Sequence, residues 1–326
     1  MTSVEFQSKT DDLLARLASF GWETGLTRES YERIAGVGLR GDSPVLAAIL
    51  AELAVDCQPI TVRGLFYRAV SAGYFPSTDK KYYDKTQRLL CRLRAEGIIP
   101  YEWVVDNLRA TIKPSSWSGL ESFADTVRDA YRKDFWSHLP AYVHVFCEKD
   151  AMTGVIEPVT REYDVALSPV RGYISDSYVH SIGKRWGRIR KPIMALYLGD
   201  FDPSGFDLER SLREKLRHHA GRDFDWVRLG LNARDFQEHA LIPLGLKKKK
   251  DGSYADSRAA KFIQQHGYEC AEIDALDPNV IRQRVRVAVT EHIPEGEWER
   301  LQEVERLERE SWEQTLGTFG NLDFDL

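Results

Sequence analysis

Two aspartates with a single residue between them, Asp200 and Asp202, follow the short apolar run Met194 to Leu198 and precede Pro203-Ser204-Gly205. In extended chain, successive side chains point to opposite faces, so the two carboxylates share one side and Phe201 takes the other. Crowded anions call for a cation, a basic partner or a raised pKa, and a hard divalent ion with oxygen ligands is the simplest answer. An ordinary acidic loop that caps the next helix is the competing reading. A second acidic segment, Glu148-Lys149-Asp150, ends the apolar run Tyr142 to Cys147. If both runs are strands of one parallel sheet, Glu148 arrives beside Asp200 as a third carboxylate, with Asp150 in reserve. Well upstream, Arg63 and Tyr67 have the spacing that puts two side chains on one helix face, where both can address one phosphate. A tyrosine hydroxyl near a cation and a metal-bound phosphate is a candidate nucleophile; Tyr74, Tyr82 and Tyr83 are rivals by position alone.

Positioning these groups requires two kinds of scaffold. Around Asp200 the pattern predicts strand, tight turn and helix, with Ser204 and Asp207 as N-cap and N3 of a capping box and the helix running to about Leu216. Around Tyr67 it predicts helices. Residues 1 to about 40 form a polar helical lead-in, and Val45, Leu46, Ile49, Leu50 and Leu53 make an apolar stripe. A second helix, capped by Thr61, buries Val62, Leu65, Phe66 and Val70. A third runs from about Ser77 or Asp79 to Glu96, where Gly97 stops it, and Ile98 to Val105 is extended. Three short helices and a strand pair fit a winged helix-turn-helix, with Asp106 and Arg109 shaping the wing or its exit. The pattern therefore divides the chain into an extension (1–42), a winged-helix domain (43–117) and an α/β domain (118–326). In that last part Val165 to Leu167, Val170 to Ile174 and Phe224 to Leu229 are strand segments, Ser177 to Trp186 is helix, and Glu295 to Trp312 is a terminal helix. Lys184, Arg185, Arg188, Arg190 and Lys191 form the densest basic segment ahead of the Asp200 strand. It is either a set of phosphate contacts on the approach to the site or a solvated helix end.

Two motifs carry a resemblance. VFCEKD followed by LYLGDFDPSG resembles a Toprim domain, the metal-binding α/β module of topoisomerases, primases and some nucleases. The D-x-D-P-x-G form is similar to that of the topoisomerase VI A subunit and its relative, the meiotic double-strand-break protein. The resemblance places the family's metal-binding glutamate on Glu148, its paired aspartates on Asp200 and Asp202, and its glycine on Gly205. PITVRGLFYRAV resembles the tyrosine motif of the same family, which puts the nucleophile on Tyr67, the motif arginine on Arg63 and the preceding aromatic on Phe66. Many members have an acidic residue after that arginine, where this chain has Gly64. AEIDALDP, with Glu272, Asp274 and Asp277, resembles the family's later acidic segment and is read as structural support. The resemblance covers most of residues 43 to 290.

It implies Mg²⁺-dependent breakage of double-stranded DNA by reversible transesterification, with a 5′-phosphotyrosyl link to Tyr67. It further implies a homodimer whose active centre is shared between chains and, since this chain has no Walker loop, either a separate ATPase B-type subunit or a free-standing break-forming A-like protein. A hydrolytic Toprim nuclease and a non-catalytic DNA-binding protein are the alternatives. At 326 residues and 43% hydrophobic, the chain can bury two cores, and a formal charge of −5 confines any nucleic-acid surface to a local patch. The four cysteines form no C-x-x-C pair and the eight histidines no metal pattern. With no signal peptide or membrane span in the sequence, a cytoplasmic, DNA-associated protein is expected.

Overall fold

The computed structural model describes residues 3–105, 115–170, 172 and 175–319. Asp106 and Arg109, and the expected strand beyond Val170, fall wholly or partly outside them.

The first half is helical: α1 (Ser3–Ser19), α2 (Arg28–Gly36), α3 (Ser43–Cys57), α4 (Val62–Ser71) and α5 (Lys80–Ala95). Two short strands, β1 (Ile60–Thr61) and β2 (Val104–Val105), pair in parallel. The predicted stripe on α3 is wider than the sequence pattern suggested, because Ala47, Ala48, Ala51 and Ala54 are buried with Leu46, Ile49 and Leu50. A helix apolar on nearly every side must be surrounded. Leu13 and Leu17 of α1 and Tyr31 and Ile34 of α2 belong to the same core as α3 and α4, so the lead-in supplies part of that surround. Glu52 is carried inside on α3 and is held by Trp22 Nε1 at 2.7 Å and by the Tyr31 hydroxyl.

The second half is α/β. After α6 (Leu120–Ala130), strands β3 (Tyr142–Cys147), β4 (Ala166–Pro169), β5 (Ile193–Leu198) and β6 (Asp225–Gly230) form a parallel sheet in the order β4-β3-β5-β6. The crossovers are α7 (Asp150–Glu162), α8 (Asp176–Trp186) and α9 (Pro203–Ala220). Beyond the sheet come α10 (Asp235–Glu238), β7 (Leu244–Gly245), α11 (Ala259–His266), β8 (Glu269–Cys270), α12 (Pro278–Thr290) and α13 (Glu297–Phe319). Val143, Val145, Leu196 and Leu198 pack with Val155 and Ile156 of α7 and Ile281 and Val285 of α12. The alternate residues Phe146, Ala195 and Tyr197 pack with Val179 and Trp186 of α8 and Leu212 and Leu216 of α9. Both faces are covered, which is why these strands read as continuous apolar runs. The chain is thus a mixed α and α/β fold. No helix among the described residues is long and apolar enough to cross a membrane.

Candidate active site

The register of β3 against β5 pairs Cys147 with Leu198. The residues that follow, Glu148 and Gly199-Asp200, therefore emerge side by side at the carboxyl end of the sheet. Glu148 Oε2 accepts the Asp200 backbone N–H at 2.9 Å. Asp200 Oδ1 accepts the Ile273 N–H at 2.7 Å and lies 3.0 Å from Lys149 Nζ. Asp202, rather than Ser204, is the N-cap of α9, and its Oδ1 accepts the Gly205 N–H at 2.6 Å. The capping box expected at Ser204 and Asp207 gives way because Pro203 takes the first helical position, where its missing N–H costs nothing. A Cβ on Gly205 would stand 2.5 Å from the Asp200 carbonyl oxygen, so the turn closes only with glycine there.

Each carboxylate thus commits one oxygen to a backbone amide. Among the described residues no hydrogen bond or ion pair engages Glu148 Oε1, Asp200 Oδ2 or Asp202 Oδ2. Burial and the charge of Asp202 push Glu148 above its ordinary carboxylate range. Burial pushes Asp200 up to about 7, with Lys149 opposing and Glu148 reinforcing the rise. Crowded oxygen donors with an open oxygen apiece fit a hard divalent ion. They do not all lie within 4.8 Å of one another, so an ion held by all three would draw their side chains together.

Lys149 organises the rest. Its ammonium lies 3.1 Å from Glu272 and 2.9 Å from Asp274 in addition to Asp200, and these anions hold it protonated against burial. Asp274 is buried, yet Lys149 and the Thr61 hydroxyl, which donates to it at 2.6 Å, keep its pKa below the ordinary value. The same Thr61 oxygen accepts the Gly64 N–H at 2.8 Å and caps α4, a cap worth about 1 kcal/mol. Arg63, one turn before Tyr67, is ion-paired with Glu272. Tyr67 is buried; burial and then Glu272 raise its phenol pKa, while Arg63 and Lys149 lower it. The acidic segment read as mere support therefore joins α4 to the carboxylate end of the sheet. Gly64, where many relatives of the resemblance have an acid, has a steric reason: a Cβ there would stand 2.9 Å from Ile60 Cγ1.

Arg228 and Lys149 were not among the sequence candidates. Arg228 Nη2 donates to the Asp200 carbonyl at 2.6 Å and to that of Gly199 at 3.2 Å, fixing the turn from β6. Sequence gave no signal for Arg228, while Lys149 was visible only as the residue between two acids.

The basic segment spans the last turn of α8 and the loop before β5, at the amino end of the sheet, whereas Asp200 follows the carboxyl end. Six residues of strand separate those ends, roughly 20 Å. Lys191 is no phosphate contact: its ammonium donates to the carbonyls of Trp136 at 2.5 Å, Ser137 at 3.1 Å and Leu139 at 2.6 Å. Lys184 and Arg185 close the last turn of α8, and Arg188 and Arg190 follow it.

A cleft of about 550 Å³ opens beside Asp202 and Glu272 and is lined also by Lys247 and Arg258. Elsewhere, Asp235, Glu238 and His239 bring one ligand atom each within 4.8 Å, a grouping consistent with divalent-ion binding. Arg284 already holds both oxygens of Asp235, at 2.6 and 3.0 Å, and Nη2 lies 3.2 Å from His239 Nε2. An ion there would have to displace a guanidinium. No protein-family model, curated protein or solved structure matches the chain.

Proposed function

We propose that this protein cleaves double-stranded DNA by Mg²⁺-dependent transesterification, as a topoisomerase VI A-like enzyme with a winged-helix first domain and a Toprim-like second. The observation that carries the reading is the joining of α4, through Thr61, Arg63 and Lys149, to the crowded carboxylates at the carboxyl end of the sheet. In this reading Glu148, Asp200 and Asp202 hold Mg²⁺, which supplies charge neutralisation at the reacting phosphate. Arg63 orients that phosphate. The Tyr67 oxygen bonds to phosphorus, the bond from phosphorus to the 3′ oxygen breaks, and the phenol proton leaves as the 3′ hydroxyl gains one. The reverse attack reseals the strand. Lys247 and Arg258 line the cleft through which a phosphate backbone can reach Asp202.

The test is incubation of the full chain with Mg²⁺ and end-labelled duplex, followed by denaturation. A covalent 5′ adduct should form and be absent from Tyr67→Phe; equal adduct from that variant rejects the nucleophile. One observation favours a second reading: Tyr67 is buried, and burial with the Glu272 charge pushes its phenol up, so it stays protonated unless a base takes its proton. Cleavage that persists in Tyr67→Phe and vanishes in Glu148→Gln selects hydrolysis. A double-strand break needs two tyrosines, so the reading includes a homodimer and, for strand passage, a separate ATPase B-type subunit. Within one chain Tyr67 already stands under the influence of Glu272, Asp274 and Lys149, so completion of the centre in cis is open beside sharing between chains. Sedimentation of the full chain as a monomer on cleavable duplex would exclude the shared version.

A further inference from the structure

We propose that Tyr197 is a positioning residue for Glu148, donating a hydrogen bond to its carboxylate when a divalent ion is bound. The inference rests on the metal site of the proposed function. Tyr197 is the last but one residue of β5, fully buried, and among the described residues its hydroxyl has no hydrogen-bond partner. A buried hydroxyl left unpaired costs about 1–3 kcal/mol, and such groups in a folded chain call for an explanation. The position of this one supplies it. A Cβ built on Gly199 would stand 2.8 Å from the Tyr197 hydroxyl and 2.7 Å from Glu148 Oε2, so both atoms flank the same glycine with no side chain between them.

Glu148 Oε2 accepts the Asp200 N–H and has a further lone pair to offer. In the metal-bound state proposed, the Glu148 side chain shifts to bring that lone pair to the phenol. The ring is fixed independently: it packs 5.5 Å from the Trp226 ring, and the Arg228 guanidinium lies 5.4 Å from its centroid. A rigid donor is thereby aimed at the one carboxylate contributed by a different strand. Hydrogen bonds to a metal-binding carboxylate fix its orientation, and their loss typically weakens metal affinity about 10–100-fold.

The experiment measures Mn²⁺ binding to the full chain by electron paramagnetic resonance, without DNA, together with thermal unfolding. Tyr197→Phe keeps the ring and removes only the unpaired hydroxyl, so the metal-free Tm should be unchanged or higher while Mn²⁺ affinity falls about 10–100-fold. In a Glu148→Gln background, which lacks the charged acceptor, adding Tyr197→Phe should change affinity no further. Wild-type affinity in Tyr197→Phe, or a full further loss in the double variant, overturns the assignment and leaves the metal site standing. If Glu148→Gln removes no bound Mn²⁺ from the wild-type level, the metal site of the proposed function fails and this inference falls with it.

Discussion

Two groups of acids in the second half of the chain meet opposite fates. Asp235, with Glu238 and His239, has its ligand atoms closest together, yet both Asp235 oxygens are taken by Arg284 and one also by the Asn232 N–H at 2.7 Å. Asp200, Glu148 and Asp202 are more widely spaced, and each has one oxygen held and one open. Under the proposed function, unspent acceptor capacity rather than proximity of ligand types marks the metal site. A carboxylate whose charge is matched by a fixed guanidinium has finished its chemistry. One whose pKa is driven up by burial and by a nearby anion, as at Asp200, is stabilised when a cation arrives.

The sharpest way to break this contrast is to remove the matched partner. Asp235→Ala leaves the Arg284 guanidinium, with a side chain 18% exposed, without its anion; a loss of about 3–5 kcal/mol in unfolding free energy is expected, read by denaturant or heat, with Mn²⁺ affinity unchanged. Loss of Mn²⁺ binding in that variant would reverse the roles of the two groups. Asp200→Asn should do the opposite. Lys149 keeps Glu272 and Asp274, so the fold survives, while Mn²⁺ affinity falls by about 100-fold or more in the same titration, beyond what loss of a supporting hydrogen bond produces.

The smallest effect is on pH. Asp200 is raised from 3.8 to about 7, so between those values the metal-free folded chain holds a proton that the unfolded chain has released. Its contribution to stability is full below 3.8 and is lost as pH rises through about 7. The upward shift of Glu148 acts in the same direction. A divalent ion competes with that proton, so Mn²⁺ affinity should climb by up to about tenfold per pH unit toward neutrality and then level off. Affinity flat across that range would show that Asp200 is already ionised.

Much of the architecture was legible because it is written in local pattern. Thr61 as the cap of α4, Gly97 after α5, the β3 and β5 runs and the turn at Asp200 all follow from side-chain period, capping chemistry and chain stiffness within a few residues. Errors arose where two local rules competed or where a partner lay far away. Asp202 displaced Ser204 as cap because it accepts the Gly205 N–H and Pro203 takes the first helical position, so the helix has begun before Ser204. Lys191 read as a free cation because its three carbonyl partners lie on a turn more than fifty residues earlier.

By itself, then, the sequence determined which residues end the strands, which helix carries Arg63 and Tyr67, and that Glu148 and Asp200 would meet if their strands were parallel neighbours. Only tertiary structure decided that they are, through the register of Cys147 with Leu198. It also decided that Lys149 faces inward to bind three acids from two segments, that Glu272 and Asp274 tie α4 to the sheet, and that the Tyr197 hydroxyl is buried without a partner among the described residues. The physical reason is range. Capping and periodicity act across one or two turns of chain, while desolvation and Coulomb attraction act on whatever folding brings within a few ångströms, however distant in sequence.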